Sequence, residues 1–592
     1  MNKIGYVIVF CLAILSSCGK VDLGKLKTDR PYTGLYQGRD CAVIFDMVEA
    51  GNVKGRIYFD EGNMIASPIH FTSDLKKSGK GHLLIQNQKK KIDKIIITGD
   101  SIEGELDKNA FSLSIFQTSD LPFKAQYMEP SYDVAERKGV TYAKNVKGYW
   151  SSYPDTGEKF TTIYAKKASD LVSRENLDLK LDVYFPKNAS KKELHPLLLL
   201  LHGGAFYNGD KQDLGFKEMG QHFAKRGYVV TSINYRLGFA PLAADVDRAG
   251  YRALQDAHAA VCFMLDKAKD YNIDTTKIFA AGTSAGAIAA LNLAFMHDEN
   301  RPEATRKSGI LSWFSSTLTT GLRAITTGFR NLNLGIDAEQ ASEDLGLNSD
   351  LGSIDAVSDS LSRPFHIKAV VNMWGAVHSL EMLKNSRQTD ILSFHGDADR
   401  IVPYGYGYPF NNVLESYVDT LIVGLPKLIK PIAEMGRSLF NGNRPFNEWM
   451  FNPIYGSSQI HNKAKSLGMR SELYKVKNGK HSLHLTDKRV LSTYFNDTIM
   501  PVMTRFLCEE MVGGKSVRLV PDGSWVKALG TEKVDELHWQ VEGGVMFNSQ
   551  EGDKVKVLMF SDAPKRSIMA GGKYKNGIEF KVSMPKAKGS FY

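Results

Sequence analysis

Lys277-Ile-Phe-Ala-Ala-Gly-Thr-Ser-Ala-Gly-Ala-Ile-Ala-Ala-Leu291 is the stretch whose reading decides the fold. Ile278 to Ala281 is a short apolar run, the mark of a strand. Ala285 to Phe295 is rich in Ala and Leu, with no breaker after Gly286, and reads as a helix. The turn between them is tight, so small residues must flank its centre, and Gly282 and Gly286 supply that room. Ser284 is then held at the tip, its hydroxyl exposed above a helix N-terminus whose dipole favours negative charge. That placement marks Ser284 as a candidate nucleophile.

The flanking sequence alternates strands with helices. Leu179 to Tyr184 alternates in period two, as an edge or antiparallel strand does. Leu197 to Leu201 is an unbroken Leu run, expected of a strand buried on both faces. Tyr228 to Asn234 follows, then a helix from about Ala249 to Lys269, and later strands at Ile367 to Trp374, Ile391 to His395 and Ser471 to Val476. The pattern predicts an α/β fold with a doubly wound, mostly parallel sheet, and active groups collect beyond the carboxyl ends of such strands. Two insertions interrupt it, at about 301–363 and 404–453. The first carries Ile310, Phe314, Leu318, Leu322, Ile325 and Phe329 on one helical face, and the second carries Leu414, Val418, Leu421 and Leu425. Both are read as helical lid pieces in preference to membrane-seeking helices.

A serine hydroxyl needs a base, and the base needs an orienting carboxylate. Two later strand ends supply them. One reads His395-Gly396-Asp397-Ala398-Asp399-Arg400-Ile401-Val402-Pro403, and the other reads Asn478-Gly479-Lys480-His481-Ser482-Leu483-His484. The order Ser, Asp, His, each at a strand end, resembles an α/β-hydrolase of the carboxylesterase type over about 160–510. Family members carry His-Gly-x-x-Asp-x-x-Val-Pro around the acid, which selects Asp399, with Asp397 as runner-up or a turn cap. The base follows Gly-x-His, which selects His481, with His484 as the alternative or a pocket wall. His202-Gly203-Gly204-Ala205-Phe206 resembles the family's His-Gly-Gly-Gly oxyanion loop, with Ala205 in the last Gly place. By that match Gly204 and Ala205 donate N–H groups, joined by Ala285, and His202 braces the loop. Such donors are each worth about 3 kcal/mol in the transition state. Tyr235-Arg236-Leu237 also fits the pattern, in a structural role. Trp374 and Tyr404 are expected at the pocket. The resemblance implies acyl transfer to water, with no metal and no cofactor.

The whole chain bounds the rest. Its 592 residues are 43% hydrophobic and 24% charged, the composition of a globular protein of several domains. The net charge of +10 is scattered, without the basic and aromatic stripe of a nucleic-acid binder. Residues 1–18 read as a signal: a positive start, an apolar run from Tyr6 to Leu15, then Leu15-Ser16-Ser17-Cys18-Gly19. This resembles the lipobox of bacterial lipoproteins, which implies palmitate-type lipidation at Cys18, membrane attachment and a cell-envelope location. Residues 19–31 read as a tether, 32–127 as an all-β accessory domain (a sandwich or open barrel), 128–159 as a linker, and 511–592 as a second β segment that packs on either neighbour. Cys41, Cys262 and Cys508 show no metal-ligand spacing, and a Cys41–Cys508 disulfide is allowed but not required. The expected activity is an exported serine ester hydrolase acting on small or glycan-borne esters. A serine peptidase of the same fold and an inactive glycan-binding or adhesion lipoprotein are the alternatives.

Overall fold

The computed structural model describes residues 22–585, apart from 148–175, 307–349, 358–362 and 412–450 and the positions 50–51, 77, 79, 99, 118–119, 207 and 239–242. The signal, Cys18, the expected hydrolase start near 160 and both apolar helical faces of the insertions lie outside the described residues. Two compact units emerge: one from residues up to Gln126 together with Val512–Tyr592, the other from Tyr127–Met511.

The second unit is built on eight strands. In chain order after the first unit's eight barrel strands (β1–β8, below) they are β9 (Val134–Lys147), β10 (Asn176–Pro186), β11 (His195–Leu201), β12 (Val229–Ile233), β13 (Ile273–Thr283), β14 (Ile367–Met373), β15 (Asp390–Gly396) and β16 (Ser471–Val476). Their spatial order is β9-β10-β12-β11-β13-β14-β15-β16. The last six are mutually parallel, and β9 and β10 are antiparallel additions. The doubly wound α/β sheet is therefore present. Leu197 to Leu201 are all fully buried, as the Leu run requires. Helices α1 (Phe216–Ala224), α2 (Ala243–Asp266), α3 (Ala285–Phe295), α4 (Ser457–Ser466) and α5 (Met500–Val512) cover the sheet. α3 is apolar nearly all round and nine of its eleven residues are buried, the behaviour of a helix enclosed by its own domain.

One boundary needs correction. The stretch read as a linker contains β9, which pairs with β10 from Val134↔Pro186 to Lys147↔Asn176. This strand belongs to the sheet and covers the edge that β10 was expected to form. Its register shifts between Arg137 and Val140, and again beyond Thr141. Such bulges break the alternation by which a strand is recognised.

The first unit holds a closed barrel: β1 (Tyr32–Tyr36), β2 (Arg39–Glu49), β3 (Asn52–Phe59), β4 (Ile69–Leu75), β5 (Gly81–Ile85), β6 (Gln88–Thr98), β7 (Ser101–Leu106) and β8 (Asn109–Ile115). Each strand pairs with the next, and β1 closes on β8 from Tyr32↔Ile115 to Tyr36↔Phe111. The expected sandwich or open barrel is thus a closed one, which leaves no free edge. The C-terminal segment packs on this barrel. Its strand Lys554–Phe560 runs parallel to the short strand Ile65–Ala66. Ala42 and Tyr58, on the outer barrel face, share a buried cluster with Val545, Leu558 and Phe560. Lys556 bridges Asp40 and Asp60, each at 2.6 Å, and Arg56 meets Asp562 at 2.6 Å. Cys41, Cys262 and Cys508 are buried thiols without a disulfide.

Candidate active site

Ser284 sits between β13 and α3 with φ 52° and ψ −120°, a backbone state that costs a non-glycine residue on the order of 1–3 kcal/mol. The neighbours enforce it. A Cβ on Gly282 would lie 2.3 Å from the Gly286 carbonyl oxygen, and one on Gly286 would lie 2.1 Å from that of Leu201. Only hydrogen at both places lets the turn close against β11. The Ser284 N–H donates to the Met373 carbonyl at 2.9 Å, which ties the turn to β14.

The other two predicted groups come to the same rim. The Ser284 hydroxyl lies 2.9 Å from His481 Nε2, and His481 Nδ1 lies 2.7 Å from Asp399 Oδ2. Two close-packed loops set this geometry. A Cβ on Gly396 would stand 2.1 Å from the Gly479 carbonyl oxygen. Ala398 N–H donates to that same oxygen at 3.1 Å. Asp397, the runner-up acid, accepts from the Asn478 N–H at 2.6 Å and lies 3.6 Å from Lys475 Nζ; it ties the two loops together.

Asp399 is heavily bonded. Its Oδ1 accepts from the N–H groups of Ile401 at 2.8 Å and Val402 at 3.1 Å. Its Oδ2 meets His481 and also His395 Nε2, the latter at 3.2 Å. Burial pushes this carboxyl up, but the hydrogen bonds from His395 and His481 outweigh it and hold it well below the usual carboxylate range. His395 is itself fixed: its Nε2 faces the Val402 carbonyl at 3.1 Å, and its Nδ1 lies 2.7 Å from the Ser457 hydroxyl. Nε2 therefore carries the proton, because a carbonyl can only accept. Asn372 then donates to Ser457 at 2.9 Å and to Ser393 at 3.1 Å. This row behind the acid was invisible from spacing. The sequence pattern named His395 without a role, and Asn372 and Ser457 carried no signal.

His484 does not reach Ser284 within the hydrogen bonds formed here. It stacks on Trp374, with ring centroids 5.1 Å apart at 20°. Burial, then the neighbouring His481, lowers its pKa to about 4, so it stays neutral at ordinary pH. Trp374 also presents its edge to His481 at 6.4 Å. Trp374 is fully buried; it supports the histidine loop and does not face the cavity. Tyr404 packs edge-on against His395 at 5.6 Å. Both were expected at the pocket, and neither is among its walls.

A cavity of about 110 Å³ adjoins Ser284, with Ala205, Phe206, Ala285, Ile288 and Val377 among its walls. Of the three N–H donors carried over from the resemblance, Ala205 and Ala285 border it; Gly204 does not. Ala205 and Phe206 hold φ of 55° and 57°, so the loop doubles back. His202 braces it: its ring stacks on Tyr235 at 4.4 Å, and the Tyr235 hydroxyl donates to the His202 carbonyl at 2.7 Å. Arg236 meets buried Asp256 at 2.8 Å. The cavity also contains Asp247 and Asn292, which sequence reasoning missed. Asp247 accepts from Asn452 at 2.8 Å, and burial raises its pKa to about 6 against that bond. No cluster of His, Cys, Asp and Glu among the described residues fits a metal ion.

Residues 181–414 match the BD-FAE family model, an α/β-hydrolase esterase family. The match takes in Ser284 and Asp399 and stops before His481. Gut esterase 1 of Caenorhabditis elegans is 31% identical over 117 residues, covering 19% of this chain and 20% of that protein. Esterase LipI of Mycobacterium tuberculosis is 31% identical over 137 residues, covering 23% and 39%. The chain thus spans well under half the length of these curated relatives. A solved structure titled as a truncated carbohydrate esterase from gut microbiota aligns at 17% identity, with TM-score 0.33, covering 65% of this chain and 99% of that one. The family match lies on this sheet order: the domain has the α/β-hydrolase fold, and residues 181–414 are similar to an esterase family.

Proposed function

We propose that this protein is an exported serine hydrolase of carboxylic esters, acting through an acyl-enzyme. The observation that carries the reading is the Ser284–His481–Asp399 row, with contacts of 2.9 and 2.7 Å. Asp399, kept ionised, holds the proton on His481 Nδ1 and leaves Nε2 free to take the Ser284 proton. The serine oxygen attacks the ester carbonyl carbon. Negative charge on the carbonyl oxygen falls to the N–H groups of Ala205 and Ala285, near the start of α3. His481 returns its proton to the departing alcohol. Water, deprotonated by the same nitrogen, then releases the acid and restores the serine.

The cavity of about 110 Å³ favours a short acyl or compact aryl group. Together with the likeness to a protein titled as a carbohydrate esterase, this suggests removal of acyl groups from polysaccharide. The Cys18 lipobox makes an envelope-anchored form the expected one. Among the described residues no helix is long and apolar enough to cross a membrane. The test is turnover of p-nitrophenyl esters and of acetylated and feruloylated glycans. Ser284→Ala and His481→Ala should each lower kcat by about 10⁶-fold. Retained turnover in Ser284→Ala would overturn the reading.

A further inference from the structure

The barrel of the first unit encloses space that its own side chains do not fill. A cavity of about 120 Å³ lies inside, walled almost wholly by apolar groups such as Val43, Phe45, Ile57, Phe71, Ile97 and Leu113. Eight-stranded barrels are just wide enough either to fill with side chains or to hold one small ligand. Packed interiors seldom leave voids larger than a water molecule. Water is a poor occupant here. It needs two to four polar partners, and Tyr36, Ser73 and Cys41 bring the only side-chain hydroxyls and thiol among these walls. An apolar void of comparable size, about 150 Å³, stays dry and takes up benzene.

One wall residue adds chemistry. The Tyr36 hydroxyl is buried and has no hydrogen-bond partner among the described residues. A buried hydroxyl left unpaired is unfavourable, and an acceptor oxygen on a bound molecule would satisfy it. We infer that the barrel is a binding site for a small, uncharged aromatic or aliphatic molecule bearing one acceptor oxygen, held in the apolar interior with that oxygen on Tyr36. The site lies wholly within the first unit, so it does not depend on the hydrolase reading.

The probe pair is acetophenone and ethylbenzene, alike in shape and differing in the oxygen, titrated into the full chain by saturation-transfer NMR. Acetophenone should bind more tightly than ethylbenzene. Val43→Phe, which fills the cavity, should abolish binding of both and leave p-nitrophenyl acetate turnover unchanged. Tyr36→Phe should weaken acetophenone about fivefold and leave ethylbenzene unaltered; it also decides the matter if Val43→Phe does not fold. Binding should survive prior reaction of Ser284 with a fluorophosphonate. Loss of binding on that treatment, equal affinities in wild type and Tyr36→Phe, or no binding of either probe at millimolar concentration would overturn the proposal.

Discussion

Two carboxyl groups border the reaction site, and the protein treats them in opposite ways. Asp399, at the end of β15, accepts two backbone N–H groups and two imidazoles, and its pKa is held far below the ordinary value. Asp247, in the cavity wall beside Ser284, accepts from Asn452 and is raised to about 6. Asp399 is buried and Asp247 half-buried, and desolvation pushes both carboxyls up, so burial alone does not set their charge. The number of donors aimed at each oxygen does. A site built this way keeps one carboxylate ionised down to low pH, where His481 needs it, and leaves a second that gives up its charge only as pH falls through about 6.

The strongest way to break this contrast is at the acid. Asp399→Asn removes the fixed charge and the acceptor that sets the His481 tautomer. The expected loss in kcat is about 10⁴-fold, with little change in KM. Asp397→Asn should stay within about threefold of wild type, since that side chain meets the Asn478 N–H and the half-exposed Lys475 ammonium and not His481. If the two variants exchanged these effects, Asp397 would be the acid.

The donor behind the acid gives a smaller effect. His395→Leu removes one of four donors to Asp399 and strands the Ser457 hydroxyl. Losing such a contact should lower kcat about tenfold by letting the carboxylate drift. The rate of fluorophosphonate labelling of Ser284 should fall in proportion. Ser457→Ala, one step further back, should act in the same direction and less. A His395→Leu enzyme with full kcat would show that the backbone N–H groups of Ile401 and Val402 suffice.

The uneven legibility of the molecule follows the same physics. The nucleophile turn, the acid loop and the base loop could be read because each is a local device. Gly282 and Gly286, or Gly396 and Gly479, must be small whatever else the chain does. β9 could not be read. Glu136, Arg137, Lys138 and Lys144 are the residues of an edge strand facing water, and its bulges hide the alternation. Closure of the barrel rests on Tyr32 meeting Ile115, a pairing of distant segments that no local pattern encodes. The docking of the C-terminal strands was open between two neighbours, because the partner of Ala42 and Tyr58 on the outer barrel face comes from a distant segment. Asp247 escaped notice for a similar reason. A lone acid on a helix is normally solvated, and only the fold places it in a cavity.

That residue offers the finest test of the contrast. An aspartate carboxyl ordinarily ionises near 3.8, and burial raises that of Asp247 to about 6 in the folded chain. Between those values the folded state binds the proton that the unfolded state has lost. Stability from this group is therefore fully present below about pH 4 and declines as pH rises through about 6, then levels off. Asp247→Asn keeps an oxygen acceptor for Asn452 and removes the titration. The melting temperature of the variant should match wild type at pH 4 and exceed it by a few degrees at pH 8. The KM for p-nitrophenyl acetate should fall by about twofold in the variant at pH 8 and be unchanged at pH 5, because an ionised carboxylate in an apolar cavity is poorly compatible with an acyl group. Melting curves that run parallel at all pH values would show that the Asp247 carboxyl keeps its ordinary ionisation and dissolve the opposition between the two acids.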